Sequence, residues 1–438
     1  MSYSDTNQNV NSNVFPSDLL GLSKPTSGQN VSSFRYIICP LEGGTNYNTS
    51  QPANIQLNCG SATIWQSGLT VLEATINPTG TLIAGGADVL LFDGPASIID
   101  SIQTLHNGTQ IDELLNYSDI YNNYLQWSQS FQQYASKWSC LMDVIPPENY
   151  GNGTNGVNTP QNLISVAGAG GTFKSVKIFI PLIGGIFSLP YLDTRAMNGQ
   201  FQISIRWRNP QLAFWANGAI NNFNYTISSL RLHTQQLDMD NTQYSLIARL
   251  RGETPKFYGF SWTRNLLSLS ANQTSLSANI AFNKASGKTL MFLQRLTAND
   301  VLTQMTASRQ RNNLSTLQYT INSVKVPQTA LTCDSVGEIT TENIKALHSL
   351  DNLFHNFLPD RTTFDNTYWS SFIDLEAYTG YGIMLSGANV KSSNIQMECK
   401  FNQAENGVNV GQSNILLVLV YDICYWIDKM TRQLNYVD

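Results

Sequence analysis

Four histidines serve the whole chain, His106, His233, His348 and His355, and only the last two are close enough in sequence to share one helix face. Two imidazoles so placed could ligate a metal, but no carboxylate or cysteine accompanies them at ligand spacing and no HExxH occurs. Asp374 and Glu376 stand two apart on a strand-like run, so their side chains point the same way. Glycoside hydrolysis needs two carboxylates opposed across a cleft, and an outward polar face explains this pair more simply. Residues 168–175 read GAGGTFKS, yet a phosphate-binding loop needs glycine directly before its lysine and a helix after it. Here Phe173 precedes the lysine and the surroundings are strand-like. No GxSxG occurs, so there is no nucleophile elbow. Arg309 and Arg311 are the nearest thing to a basic cluster and read as a solvated polar loop. No catalytic, cofactor-binding or metal-ligating residue is assigned, and the chain is expected not to be an enzyme.

Composition supports that reading. Of 438 residues, 42% are hydrophobic, enough for sizeable cores, and the length suits two domains. Only 13% are charged, about half the usual share. Asn, Gln, Ser and Thr supply the polarity instead, and they can be covered by neighbours without the desolvation cost of full charges. The net charge of −5 argues against direct contact with nucleic acid, which needs clustered Lys and Arg. The first thirty residues lack the apolar core of a signal peptide, and no run is long enough to span a membrane. The six cysteines are scattered without a CxxC pair, so free buried thiols are expected, in a reducing compartment. Eight NxS/T sequons follow from an Asn-rich chain and imply no glycosylation.

The elements that would position any site are mostly strands. Residues 1–33 read as a flexible arm with one apolar patch, Phe15, Leu19, Leu20 and Leu22. From Phe34 onward, short apolar runs alternate with Gly, Asn, Pro and Ser, the mark of a sandwich or barrel. Asn107-Gly108 signals a tight hairpin. Two helices are expected. One follows Ser118 as N-cap and carries Ile120, Tyr124, Trp127, Phe131, Tyr134 and Trp138 on one face. That stripe buries a helix against a sheet or, alternatively, lines a glycan-binding groove. The other starts at Thr341 and runs through Phe354. Residues 151–160, GNGTNGVNTP, read as an exposed loop, and 239–256 as a charged connector.

The two halves echo each other. Residues 200–207 and 394–401 both run amide, apolar, Gln, apolar, polar, apolar, basic, aromatic, at an offset of 194. Each is followed by a strongly apolar strand, Tyr225 to Leu232 and Ile415 to Cys424, and each half holds one helix between its early and late strands. Duplication of one β-domain accounts for this order.

Three stretches carry a likeness to a known family: 94–117, with its strand, Asn-Gly turn and acidic-apolar-Tyr segment; 179–192, rich in Pro and Leu, with Met197 and the strand 201–207 behind it; and Tyr225 to Leu237. The chain resembles the double jelly-roll major capsid proteins of icosahedral DNA viruses, in the flavour of polinton-like viruses and virophages. The resemblance implies an all-β fold of two tandem eight-stranded jelly-roll barrels, 34–238 and 257–438, with one helix inserted in each. It implies homotrimers forming pseudo-hexagonal capsomers that tile an icosahedral shell, and a place in the virion after synthesis in the host cytoplasm. Its partners would be neighbouring capsomers, penton and minor capsid proteins, and an internal membrane touched by the N-terminal arm. It implies no cofactor. A glycan-binding attachment protein built from two jelly rolls is the alternative.

Overall fold

The computed structural model describes residues 33–128 and 164–438 apart from short stretches, of which 167–172, 246–254, 303–308, 352–368 and 377–386 are the longest. The arm's apolar patch, the loop 151–160, and Phe131, Tyr134 and Trp138 lie outside the described residues.

The first half runs β1 (Ser33–Cys39), β2 (Leu41–Glu42), β3 (Asn46–Tyr47), β4 (Ala53–Leu57), β5 (Thr63–Trp65), β6 (Val71–Leu82), β7 (Ala87–Leu91), β8 (Ile99–His106), β9 (Thr109–Leu115), helix α1 (Tyr117–Ser128), β10 (Ile164–Val166), β11 (Val176–Pro181), β12 (Phe201–Trp207), the short helix α2 (Pro210–Ala213), β13 (Phe214–Ala216) and β14 (Ile220–Asp238). The second half runs β15 (Lys256–Leu269), β16 (Ser275–Ile280), β17 (Gly287–Leu296), β18 (Leu314–Ile321), β19 (Val324–Thr332), helix α3 (Val336–Asp351), β20 (Ser371–Asp374), β21 (Ile395–Phe401), β22 (Ala404–Glu405), β23 (Val408–Asn409), β24 (Ser413–Ile427) and β25 (Leu434–Val437).

Eight strands in each half make a barrel, and both barrels are wired alike. In the first, one sheet is ordered β1-β14-β6-β11 and the facing one β4-β12-β8-β9. In the second, the orders are β15-β24-β17-β20 and β16-β21-β18-β19. Counted one to eight along each barrel, both sets read 1-8-3-6 and 2-7-4-5, the jelly-roll order built from two Greek keys. The echoing octets fall on β12 and β21, the seventh strand of each barrel, and the apolar runs after them fall on β14 and β24, the eighth.

Period-two alternation places the cores. Phe201, Ile203, Ile205 and Trp207 point inward from β12, and Ile395, Met397, Cys399 and Phe401 from β21, while their neighbours stay at least partly exposed. β24 is central in its sheet and continuously buried from Ile415 to Tyr421. Cys39, Cys333 and Cys399 are free and buried, and Cys424 is free and half-buried. Among the described residues, no helix is long and apolar enough to cross a membrane.

Each long helix follows the fifth strand of its barrel, but both start earlier than their sequence signals. α1 begins at Tyr117, so Ser118 lies inside the first turn, where its Oγ accepts from Arg208 at 2.6 Å. α3 begins at Val336, and the Thr341 hydroxyl donates back to the Gly337 carbonyl at 2.8 Å as an interior residue rather than a cap. The run Leu317 to Val326, continuous by apolarity, is two strands. Asn322 (φ 51°) and Ser323 (φ 66°) turn the chain between β18 and β19, just as Asn107 (φ 52°) and Gly108 (φ 78°) do between β8 and β9. Both hairpins use the positive-φ pair that matches strand twist.

Candidate functional site: the joint between the barrels

The residues weighed for chemistry do not converge. His106 is buried in the first barrel, where its Nδ1 accepts from the Leu434 backbone at 3.2 Å. His348 falls within α3, and His355 lies outside the described residues. Among the described residues no three His, Cys, Asp or Glu side chains gather as metal ligands. Residues 168–172 are also outside the described set.

Two readings change. Glu376 does not belong to an outward polar face: its carboxylate is largely buried, 3.2 Å from Lys288 Nζ, which also lies 3.4 Å from Asp422. Burial opposes the Lys288 charge, but Asp422 and Glu376 outweigh it and hold the ammonium above its ordinary pKa. Asp374 turns back on its own chain, accepting from the Glu376 backbone at 2.9 Å. Arg309 and Arg311 are buried rather than solvated. Arg311 forks onto Glu405, Nη1 reaching Oε2 at 2.9 Å and Nη2 reaching Oε1, and also donates to the Leu314 carbonyl at 3.1 Å. This bidentate pair ties the start of β18 to the β22–β23 hairpin.

One constellation had no sequence signal. Across the first sheet, the Tyr36 hydroxyl meets His233 Nδ1, His233 Nε2 lies 2.6 Å from Glu73 Oε2, and Lys177 Nζ lies 2.9 Å from Glu73 Oε1. Hydroxyl, imidazole and carboxylate stand in the order of a nucleophile relay. Yet burial and the charge of Glu73 push the Tyr36 phenol up, away from phenolate. Burial works against the Glu73 charge, and hydrogen bonds from Lys177 and His233 outweigh it, keeping the carboxyl below its usual value. The row binds four strands together, β1, β14, β6 and β11, rather than activating an oxygen.

A set of specific side-chain contacts lies where the barrels meet. β9 and residues 183–191 of the first barrel pack against β15 of the second. Ser261 Oγ on β15 shares its hydrogen between Asp112 Oδ1 and Oδ2 on β9, at 2.9 and 3.1 Å. Asp112 is buried, and burial pushes its carboxyl up to about 6 in spite of Ser261 and the Glu113 backbone N–H. Trp262 Nε1 donates to the Leu115 carbonyl at 3.1 Å, with its ring 5.7 Å from that of Tyr117. Gly184 and Gly185 adopt φ of 79° and 56°, and a Cβ on them would stand 2.2 Å from the Trp262 ring and 1.8 Å from Asp112 Oδ2. Only glycine allows both the turn and the approach. Ser188 Oγ accepts from the Phe260 backbone at 3.0 Å, and Tyr191 meets Phe257 edge-on at 5.7 Å.

The β24–β25 hairpin clamps the far end of the joint. Arg432 donates to the carbonyls of Ala196 at 3.0 Å and Arg195 at 2.6 Å, and its own carbonyl accepts from the Asn198 backbone at 3.0 Å. Gln433 Nε2 reaches Thr109 Oγ1 at 3.2 Å. The Pro-Leu-rich segment that carried the family likeness is thus the socket for the second barrel.

No protein-family model and no curated relative matches this sequence. Solved structures do. The Faustovirus major capsid protein superposes with a TM-score of 0.61 at 8% identity, covering 90% of each chain. A chain of the PBCV-1 virus capsid gives 0.59 at 9% identity, covering 93% of this chain and 97% of its own. The mavirus major capsid protein gives 0.56 at 11%, covering 93% and 90%. The chain is therefore a double jelly-roll protein by fold, over nearly its whole length. The proteins that share this architecture here are major capsid proteins of viruses.

Proposed function

We propose that this chain is a major capsid protein that assembles as homotrimeric, pseudo-hexagonal capsomers and tiles an icosahedral virus shell. One observation carries the reading: a single strand order, used twice and joined by a built interface, over the same span as viral capsid proteins. Three two-barrel chains supply six similar units, which pack hexagonally while keeping threefold symmetry. Low charge agrees with a surface largely covered by copies of itself. Residues 1–33 act as the arm toward neighbouring capsomers or a membrane beneath, and 239–256 as the connector. Penton and minor capsid proteins complete the shell of the virion, and the chain is made in the host cytoplasm. Electron microscopy of the purified protein tests this. Threefold, hexagonally outlined particles of about 146 kDa, three times the 48.6 kDa chain, are the expected result. A monomer at every concentration would overturn it.

A further inference from the structure

His106 closes β8 and is fully buried, with its ring 4.8 Å from that of Phe201. Its Nδ1 accepts the Leu434 backbone N–H of the second barrel at 3.2 Å, in a buried position. β25 pairs with β24 along one edge, and this bond ties its other edge to the first barrel. The side-chain contacts that Arg432 and Gln433 add to the clamp lie in exposed positions, where water can replace them. An N–H can donate only to a bare ring nitrogen, so the neutral ring carries its hydrogen on Nε2. The Asn198 carbonyl favours a charge on the ring, but burial outweighs it and pulls the pKa below its ordinary value.

Among the described residues, the charged groups on the elements around the ring are engaged elsewhere. On β8 and β12, Asp100 and Arg206 lie at the far end, near Arg208. On β9, Asp112 accepts from Ser261 and Glu113 from Gln110. Ahead of β12, Asp193 accepts from Tyr244 and Arg195 donates to the Met239 carbonyl. In the hairpin, Asp428 accepts from Met430 and Thr431, Arg432 spans the Ala196 and Arg195 carbonyls, Asp438 pairs with Lys284, and Lys429 is exposed in the turn. A second proton on the ring therefore sets two donors face to face, Nδ1–H against Leu434 N–H, with the bond lost and both groups buried.

We infer that His106 is an acid-released latch between the two barrels: its neutral ring holds the β24–β25 hairpin through Leu434, and a proton on Nδ1 frees the hairpin from the first barrel while both barrels stay folded. The inference goes beyond the assembly reading and does not depend on it, because latch and hairpin belong to one chain. The freed ring takes its proton near 6.5 and the docked ring only at lower pH. Docking is therefore fully favoured above that value and weakens as pH falls below it. The two ends of the joint answer acid in opposite senses. Between β9 and β15, acid removes the buried charge of Asp112; at the hairpin, it creates one on His106.

Hydrogen exchange on the full chain tests it, compared between neutral and mildly acidic buffer and corrected for the intrinsic pH dependence of amide exchange. The amides to follow are those of Leu434 and Asn198, which bridge hairpin and first barrel through the His106 ring and the Arg432 carbonyl. In the wild type their protection should fall roughly tenfold for each pH unit below about 6.5, until the docked ring itself titrates, while β8 and β12 keep theirs. His106→Asn puts an amide oxygen, an acceptor that does not titrate, in place of Nδ1, and should hold both amides equally at either pH. Unchanged protection in the wild type overturns the latch, as does an equal acid loss in the variant. Should His106→Asn release the hairpin already at neutral pH, the wild-type pattern decides. Loss confined to the two bridging amides supports the latch, and loss shared by β8 and β12 overturns it.

Discussion

Ser261 of the second barrel holds both carboxylate oxygens of Asp112 of the first, at 2.9 and 3.1 Å, in a site closed to water. A single hydroxyl is a weak answer to a buried charge. Glu113 lends a backbone N–H and Lys284 a distant positive field, while the Glu113 charge opposes ionisation. Tyr421 and Tyr425 also face the carboxylate.

The sign of the resulting pH dependence follows from the raised pKa. The unfolded carboxyl ionises near 3.8 and the folded one near 6, so Asp112 costs the folded state nothing below pH 3.8 and destabilises it increasingly as pH rises to about 6. Two pKa units correspond to about 3 kcal/mol. Asp112→Asn should flatten this profile, being more stable than wild type at neutral pH and equal to it below about pH 4. Urea denaturation across that range measures it, and parallel profiles would refute the assignment.

Removing Arg311 should be costly. Arg311→Ala removes the bidentate bond to Glu405 and the bond to the Leu314 carbonyl, and should lose about 3 kcal/mol in denaturant titration. Glu405 is partly exposed, so Glu405→Gln, which keeps one acceptor, should lose less.

Gly184→Ala should destabilise the joint, both by forcing a side chain into the left-handed region and by driving a methyl into Trp262. Adding Trp262→Leu should recover part of the loss in thermal midpoint, because it relieves the clash but not the backbone strain. No recovery would place the cost of Gly184→Ala elsewhere.

Ser323→Gly should stabilise. Ser323 sits at φ 66°, where a β-carbon is unfavourable and nothing in the turn requires its hydroxyl. A gain of about 0.5–1 kcal/mol is expected in the same titration.

The repeat was legible because strands with one buried face alternate strictly, and β12 and β21 kept that alternation with matching residue types. The turn at Asn107-Gly108 was legible from its glycine. Its counterpart at Asn322-Ser323 was not, because serine carries no comparable signal and the apolar run Leu317 to Val326 continues through it. Thr341 and Ser118 mimicked helix caps while sitting inside helices. Arg311 looked solvated because its partner Glu405 is 94 residues away. The joint was invisible for the same reason, with Asp112 and Ser261 separated by 149 residues. Sequence pattern reports local periodicity, whereas a salt bridge or a docking face depends on which distant strands the topology brings together.

The β24–β25 hairpin is synthesised after every other described element, yet it reaches back to Ala196, Asn198 and His106. On the ribosome, the first barrel can therefore close long before its socket is filled. A prematurely terminated product would carry a finished first barrel with β9 and residues 183–191 laid bare. Chaperones and proteases recognise such apolar surfaces, so an unfinished chain stays marked for removal until the late clamp is in place.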